Sequence, residues 1–177
     1  MECFLCKWLC SDLYEKIDTL QEQLKQMSDT IVQIKGLSDS VPKPVIVNTV
    51  DRDECYRIIR NQFPQAKQAR LYLWLDEYKI PTLESVKTYL NVDKTDIFPY
   101  LKDEYICVNF AFHLYGMVNI PSWAGVAFWV GIGNGHAFNI FLAGKPPKLY
   151  VAEPQTDKIY TMENLPKMYY PLGYVVG

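Results

Sequence analysis

From residue 3 the apolar side chains fall at Cys3, Cys6, Cys10, Leu13, Ile17, Leu20, Leu24, Met27, Ile31 and Ile34, with gaps alternating between three and four. That is the a/d repeat of a coiled coil, and the positions between are mostly polar, as in "EKIDTLQEQLKQMSDT". A seam this narrow suits a second helix, whereas a helix lying on a globular core shows a broader apolar face. The spacing therefore predicts a coiled-coil helix over residues 1–40, roughly 50 Å long at about 1.5 Å per residue. Its partner would be further copies of the same chain, joined through residues 3–36, with an amphipathic helix packed on its own domain as the rival reading. Mixed Ile, Leu and Met along the seam leave dimer and trimer both open. Gly36 and then "VPKP" end the helix, so residues 41–52 read as an extended linker and 53–177 as one globular domain.

The three cysteines of the seam have a C-x2-C-x3-C spacing, but a structural zinc needs four ligands and no fourth lies nearby. Their register accounts for them as small apolar seam residues. Five cysteines in all, an odd number in a chain of 177 residues, argue against a disulfide scaffold and for reduced thiols. The N-terminus lacks the pattern of a secretory signal, and no apolar run reaches the ~20 residues of a membrane span. The expected location is the cytoplasm, or a virion or other assembly. A formal charge of −2 without Lys/Arg clusters speaks against a nucleic-acid partner.

Three segments after the linker read as helices. "DRDECYRIIRNQF" sets Cys55, Ile58, Ile59 and Phe63 on one face, with Pro64 as the stop. "QAKQARLYLWLDEYKI" turns Ala69 and Leu73 inward. "PTLESVKTYL" opens with Pro-Thr and carries a stripe of Leu83, Val86 and Leu90. A fourth, "YICVNFAFHLYG", is closed by Gly116. Strand-like runs then follow at 123–132, 136–143, 148–154, 158–162 and 170–176, joined by hairpin-sized turns. The expected fold class is α+β, a helical region followed by an antiparallel meander.

One constellation carries chemistry. Cys107 falls in the first turn of its helix, where unpaired backbone N–H groups and the helix dipole favour an anion. His136 opens a strand after a glycine turn, and Glu153 closes the next strand. A turn centred at residues 144–145 would set His136 directly opposite Glu153. A nucleophile, a base and a carboxylate orienting the base are the parts thiol catalysis needs. His113 lies about 240° round the helix from Cys107, which leaves His136 as the available imidazole. Taken singly, each residue reads more plainly as a buried cysteine or a hydrogen-bonded edge histidine.

The blocks "YICVNFA", "GHAFNIF" and "VAEPQT" resemble the Cys, His and acid blocks of the papain-like and transglutaminase-like cysteine protease superfamily. The wording is closest to the calcium-activated C-terminal cysteine-protease domain of a mushroom agglutinin. Over residues 100 to 160 the resemblance implies a papain-like helical region and Cys107 as nucleophile, His136 as general base and Glu153 as orienting acid. It implies thiolate attack on an amide carbonyl of a protein or peptide, then hydrolysis or transfer to an amine, both left open. The alternative is a silent version of the same fold serving as a structural or virion component. Val108 and Asn109 replace the acidic residues the family tends to carry after the cysteine, although Asp103 and Glu104 lie just upstream. Calcium is thus the single cofactor the resemblance holds open, with no ligand set assigned. For a second oxyanion donor beside the Cys107 N–H, Gln155, Asn109, Trp123 and Trp129 are the candidates.

Overall fold

The computed structural model describes residues 16, 17, 19–28 and 41–177. The chain divides into two compact units, Met1–Ser40 and Val41–Gly177. In the first, the described residues are helical, and we label the stretch 19–28 α1. Of the expected seam, Leu20, Leu24 and Met27 of α1 are exposed, and so is Ile17. Cys3, Cys6, Cys10, Leu13, Ile31 and Ile34 lie outside the described residues. The expected N-terminal coiled coil is corrected accordingly: what the structure describes is one short helix with its apolar residues uncovered.

The second unit is β-rich. A six-stranded sheet has the order β2 (Arg70–Tyr72), β8 (Leu172–Val176), β4 (Phe128–Gly133), β5 (His136–Ala143), β6 (Lys148–Glu153) and β7 (Lys158–Thr161). β2 runs parallel to β8; every other pairing is antiparallel. A separate two-stranded sheet joins β1 (Ile46–Asp51) to β3 (Glu77–Pro81). Residues 41–52, expected as a linker, thus carry a strand.

Three helices cover the large sheet's two faces. Alternate residues of a strand point to opposite sides, so a strand apolar at every position must be covered twice. β5 shows this directly. Phe138, Ile140 and Leu142 share a core with Cys55, Ile58 and Ile59 of α2 (Arg52–Gln62). On the other face, Ala137 packs with Ala111 of α4 (Cys107–Val118). Phe141 and Ala143 pack there with Leu114 of α4 and with Val86, Tyr89 and Leu90 of α3 (Leu83–Val92). Helix starts are locally encoded: Asp51 Oδ1 accepts from Glu54 N at 2.7 Å, and Thr82 Oγ1 from Ser85 N at 3.1 Å.

Two features correct the expected fold class. Residues 65–80, read as a helix, form β2 and β3 instead, because each finds a strand partner far away in sequence, β8 and β1. The helices are therefore interleaved with strands and do not form a papain-like helical region ahead of the sheet. The sheet is also mixed. β4 to β7 form a meander, but β8 returns on the far side of β4 and takes β2 beside it in parallel. The fourth helix also outruns its expected stop: Gly116 lies inside α4, and Asn119 is the C-cap.

Candidate functional site

His136 owes its position to a two-residue hairpin. Asn134 and Gly135 have φ of 48° and 77°, the left-handed pair of a tight turn matched to strand twist, and Gly133 pairs with His136 across it. Gly133 is also held to glycine, since a Cβ there would lie 2.4 Å from the Pro171 carbonyl oxygen. The β5–β6 register pairs Asn139 with Ala152, which is two residues away from the sequence expectation. A slip of two preserves the face. Glu153 is therefore diagonal to His136 rather than opposite, and the two still meet, with His136 Nε2 2.7 Å from Glu153 Oε2.

The pair is enclosed, with side chains only 13% and 8% exposed. A carboxylate only accepts, so the imidazole proton sits on Nε2 and the remaining ring nitrogen is Nδ1. Tyr169 Oη donates to the same Oε2 at 2.8 Å, and the Gln155 backbone N–H donates to Oε1 at 3.3 Å. Burial first, and then the hydrogen bond to Glu153, push the Tyr169 hydroxyl above its ordinary range, so it stays a donor. The rings of Tyr169 and Phe138 flank the imidazole, at centroid distances of 5.4 Å and 6.1 Å. Sequence reasoning missed Tyr169. It lies in a one-turn 3-10 segment, Lys167–Tyr169, with no motif around it.

Cys107 is the first residue of α4. Asn109 Oδ1 accepts from the Ile106 N–H at 3.0 Å and so caps this end. Asn139 ties the helix to the sheet, donating from Nδ2 to the Ala111 carbonyl at 3.0 Å. Cys107 is partly buried and packs against the cluster of Ala111, Val130 and Ala137, the last being the residue after His136. No hydrogen bond joins its thiol to the imidazole. The other described cysteine contrasts with it. Cys55 is fully buried, and burial, with help from Asp51 and Glu54, pushes its thiol up to about 12. The structure thus joins His136 to Glu153 outright, while Cys107, at the start of α4, packs against the cluster of Ala111, Val130 and Ala137 on the α4 side of β5.

The remaining candidates fare differently. Trp123 Nε1 is spent on the Pro42 carbonyl at 2.8 Å. Trp129 is wholly buried in the core shared with α2, and its Nε1 has no partner. Asn109 is occupied as a cap. Gln155 alone touches Glu153, through its main chain. Asp103 and Glu104 are exposed, and among the described residues no group of three or more His, Cys, Asp or Glu is placed to hold a metal ion. His113 Nδ1 lies 3.1 Å from Tyr105 Oη, in a separate aromatic group with Phe98. Among the described residues no helix is long and apolar enough to cross a membrane.

No protein-family model matches the chain, and no curated protein matches it. Solved structures do, and two of them are of the lectin class. One is described as a complex of PSL1a with E64, with TM-score 0.62 and 14% identity over 73% of this chain and 50% of the other. A second is the Polyporus squamosus lectin bound to the epitope Neu5Aca2-6Galb1-4GlcNAc, with TM-score 0.56 and 16% identity over 73% of this chain and 49% of the other. The chain thus spans about half the length of each, and at such identity the likeness is one of fold.

These comparisons correct the family expectation. The neighbours carry the name of a lectin, not of a papain-like or transglutaminase-like peptidase, and the mushroom agglutinin is the single point of overlap. The expected amide hydrolysis or transfer, the leaning towards a cysteine peptidase, and the alternative of a virion or structural component all lack support from them.

Proposed function

We propose that Cys107, His136 and Glu153 form one ligand-capture site at the end of the sheet. The observation that carries this reading is the 2.7 Å bond from His136 Nε2 to Glu153, backed by Tyr169 on the same oxygen. An imidazole so anchored keeps one ring orientation and offers Nδ1 as the acceptor for a neighbouring proton. Cys107, on the first turn of α4, is the thiol of the constellation. In this reading it is the nucleophile, His136 takes its proton, and Glu153 orients the ring. The ligand to try first is E64, since one fold neighbour was solved with it. Iodoacetamide labelling of Cys107, followed by peptide mapping with and without E64, tests the site. Protection of Cys107 by E64 supports it; unchanged labelling removes it.

Carbohydrate binding is the second reading, brought by the neighbour solved with a sialylated trisaccharide. In this chain it is favoured by Tyr72, Trp74 and Tyr174, which are 50%, 65% and 43% exposed on and beside the paired strands β2 and β8. Exposed aromatic faces of this kind suit the C–H face of a sugar ring. Calorimetric titration with the same trisaccharide tests it. Heat lost in Trp74→Ala places the sugar on this edge, and no heat in the unaltered protein ends the reading. Self-association through residues 3–36 is a further part of the proposal, resting on the exposed Leu20, Leu24 and Met27 of α1.

A further inference from the structure

Asn139 stands inside β5, wholly buried, between the apolar neighbours Phe138 and Ile140. A buried polar side chain costs free energy wherever one of its hydrogen-bonding atoms is left over. One is left over here: the carboxamide oxygen, Oδ1, is buried with no partner. The amide nitrogen, in contrast, makes two bonds. Nδ2 donates to the Ala111 carbonyl of α4 at 3.0 Å and to the Trp129 carbonyl of β4 at 3.3 Å. Carbonyl oxygens only accept, so the amide is fixed with its NH2 group towards both. At the expense of one idle acceptor, Asn139 joins its own strand to a helix and to a second strand at a single point.

That point borders the place where Cys107 packs. Cys107 rests against Ala111, Val130 and Ala137. Asn139 is bonded to the first of these, pairs with the second across the β4–β5 ladder, and lies two residues beyond the third on the same face of β5. Helix α4 carries the thiol and β5 carries the imidazole, and no hydrogen bond joins the two groups. Their relative placement therefore depends on how α4 is seated on β5.

We propose that Asn139 is a positioning residue of this site: its amide sets the seat of α4 on β5, and with it the placement of Cys107 relative to His136. The proposal rests on the capture-site reading. Asn139 acts through the Ala111 backbone, one helical turn along from the thiol, and through its own strand, three residues along from the imidazole. A displacement of roughly 1 Å between reacting groups can cost about a hundredfold in rate, so a small shift of the seat is enough.

Iodoacetamide labelling of the full chain at mildly acidic pH, read separately at Cys107 and Cys55 by peptide mapping, tests it. Asn139→Leu is the first variant, since leucine keeps the branched shape and cannot donate. A loosened fold and a lost placement move the labelling in opposite directions. Loosening uncovers thiols and speeds both, whereas a displaced Cys107 loses the help of the imidazole and slows. The expected result is a Cys107 slower by roughly tenfold or more, with Cys55 still unlabelled. An unchanged or faster Cys107 overturns the proposal. Asn139→Asp is the second variant and serves if Asn139→Leu does not fold. A buried carboxyl facing two carbonyls donates only when protonated, so the Cys107 rate in Asn139→Asp, relative to the unaltered protein, should climb as pH falls from 8 to 5. A ratio that stays flat with pH overturns the proposal too. His136→Ala is measured beside them. If it leaves Cys107 at the unaltered rate, the capture-site reading falls and takes the proposal with it. If it slows Cys107 while Asn139→Leu does not, the reading stands and the proposal alone falls.

Discussion

Glu153 accepts from three donors, His136, Tyr169 and Gln155, and their order of strength decides what each substitution does. Tyr169→Phe deletes one O–H donor to a buried carboxylate and leaves the ring packing intact. It is expected to cost roughly 1.5–3 kcal/mol, the range for hydrogen bonds to charged groups, read as a lower urea midpoint. His136 and Glu153 were legible in the sequence because each stands at the end of a strand that a glycine or proline turn delimits. Their neighbour in space, Tyr169, was not, since aromatic residues are frequent here and nothing local marks one as a donor. The register was legible in face but not in offset. A turn of four residues, Gly144–Pro147, separates β5 from β6, and its centre lies later than residues 144–145. The buried, unpartnered oxygens of Asp93 and Asp157 had no signature at all in the sequence.

Among elements, β5 and β6 could be read directly, as their apolar runs are bounded by turns on both sides. β2 and β3 could not. Three and five residues long, they are strands through distant partners, and their own sequence carries enough helical spacing to mislead. The end of α4 shows a related failure, with Gly116 continuing the helix where a left-handed stop was expected. That yields a clean test. A Cβ at Gly116 would meet nothing within 4 Å, so Gly116→Ala should stabilise the protein by about 0.5–1 kcal/mol through reduced chain entropy. Gly133→Ala should do the reverse, by on the order of 1–3 kcal/mol, because the added methyl meets the backbone of Pro171 and Tyr169. Urea midpoints moving in opposite directions would support both placements; a loss of stability at Gly116 would contradict the open space beside α4.

At the scale of the molecule, unit Val41–Gly177 holds the whole sheet, both helical layers and the site within itself. A chain restricted to 41–177 is therefore expected to melt cooperatively at a temperature close to that of the full protein. Light scattering on the two chains tests self-association: the full protein should be larger than one copy and the shorter one a monomer. Equal masses for both, each a single copy, would remove residues 3–36 as an oligomerising segment. Composition and charge set the broad limits at this scale, but not the chain's path. The parallel β2–β8 pair and the interleaving of helices with strands arise from contacts between distant segments, which no local pattern reports.

The claim on which the functional account turns is that Cys107 and His136 belong to one site. It is tested by the rate at which iodoacetamide alkylates Cys107 at mildly acidic pH, in the unaltered protein and in His136→Ala, with Cys55 as the buried internal control. The account requires Cys107 to react far faster than Cys55 and to lose at least tenfold in rate when the imidazole is removed. Equal rates at Cys107 in the two proteins would contradict it.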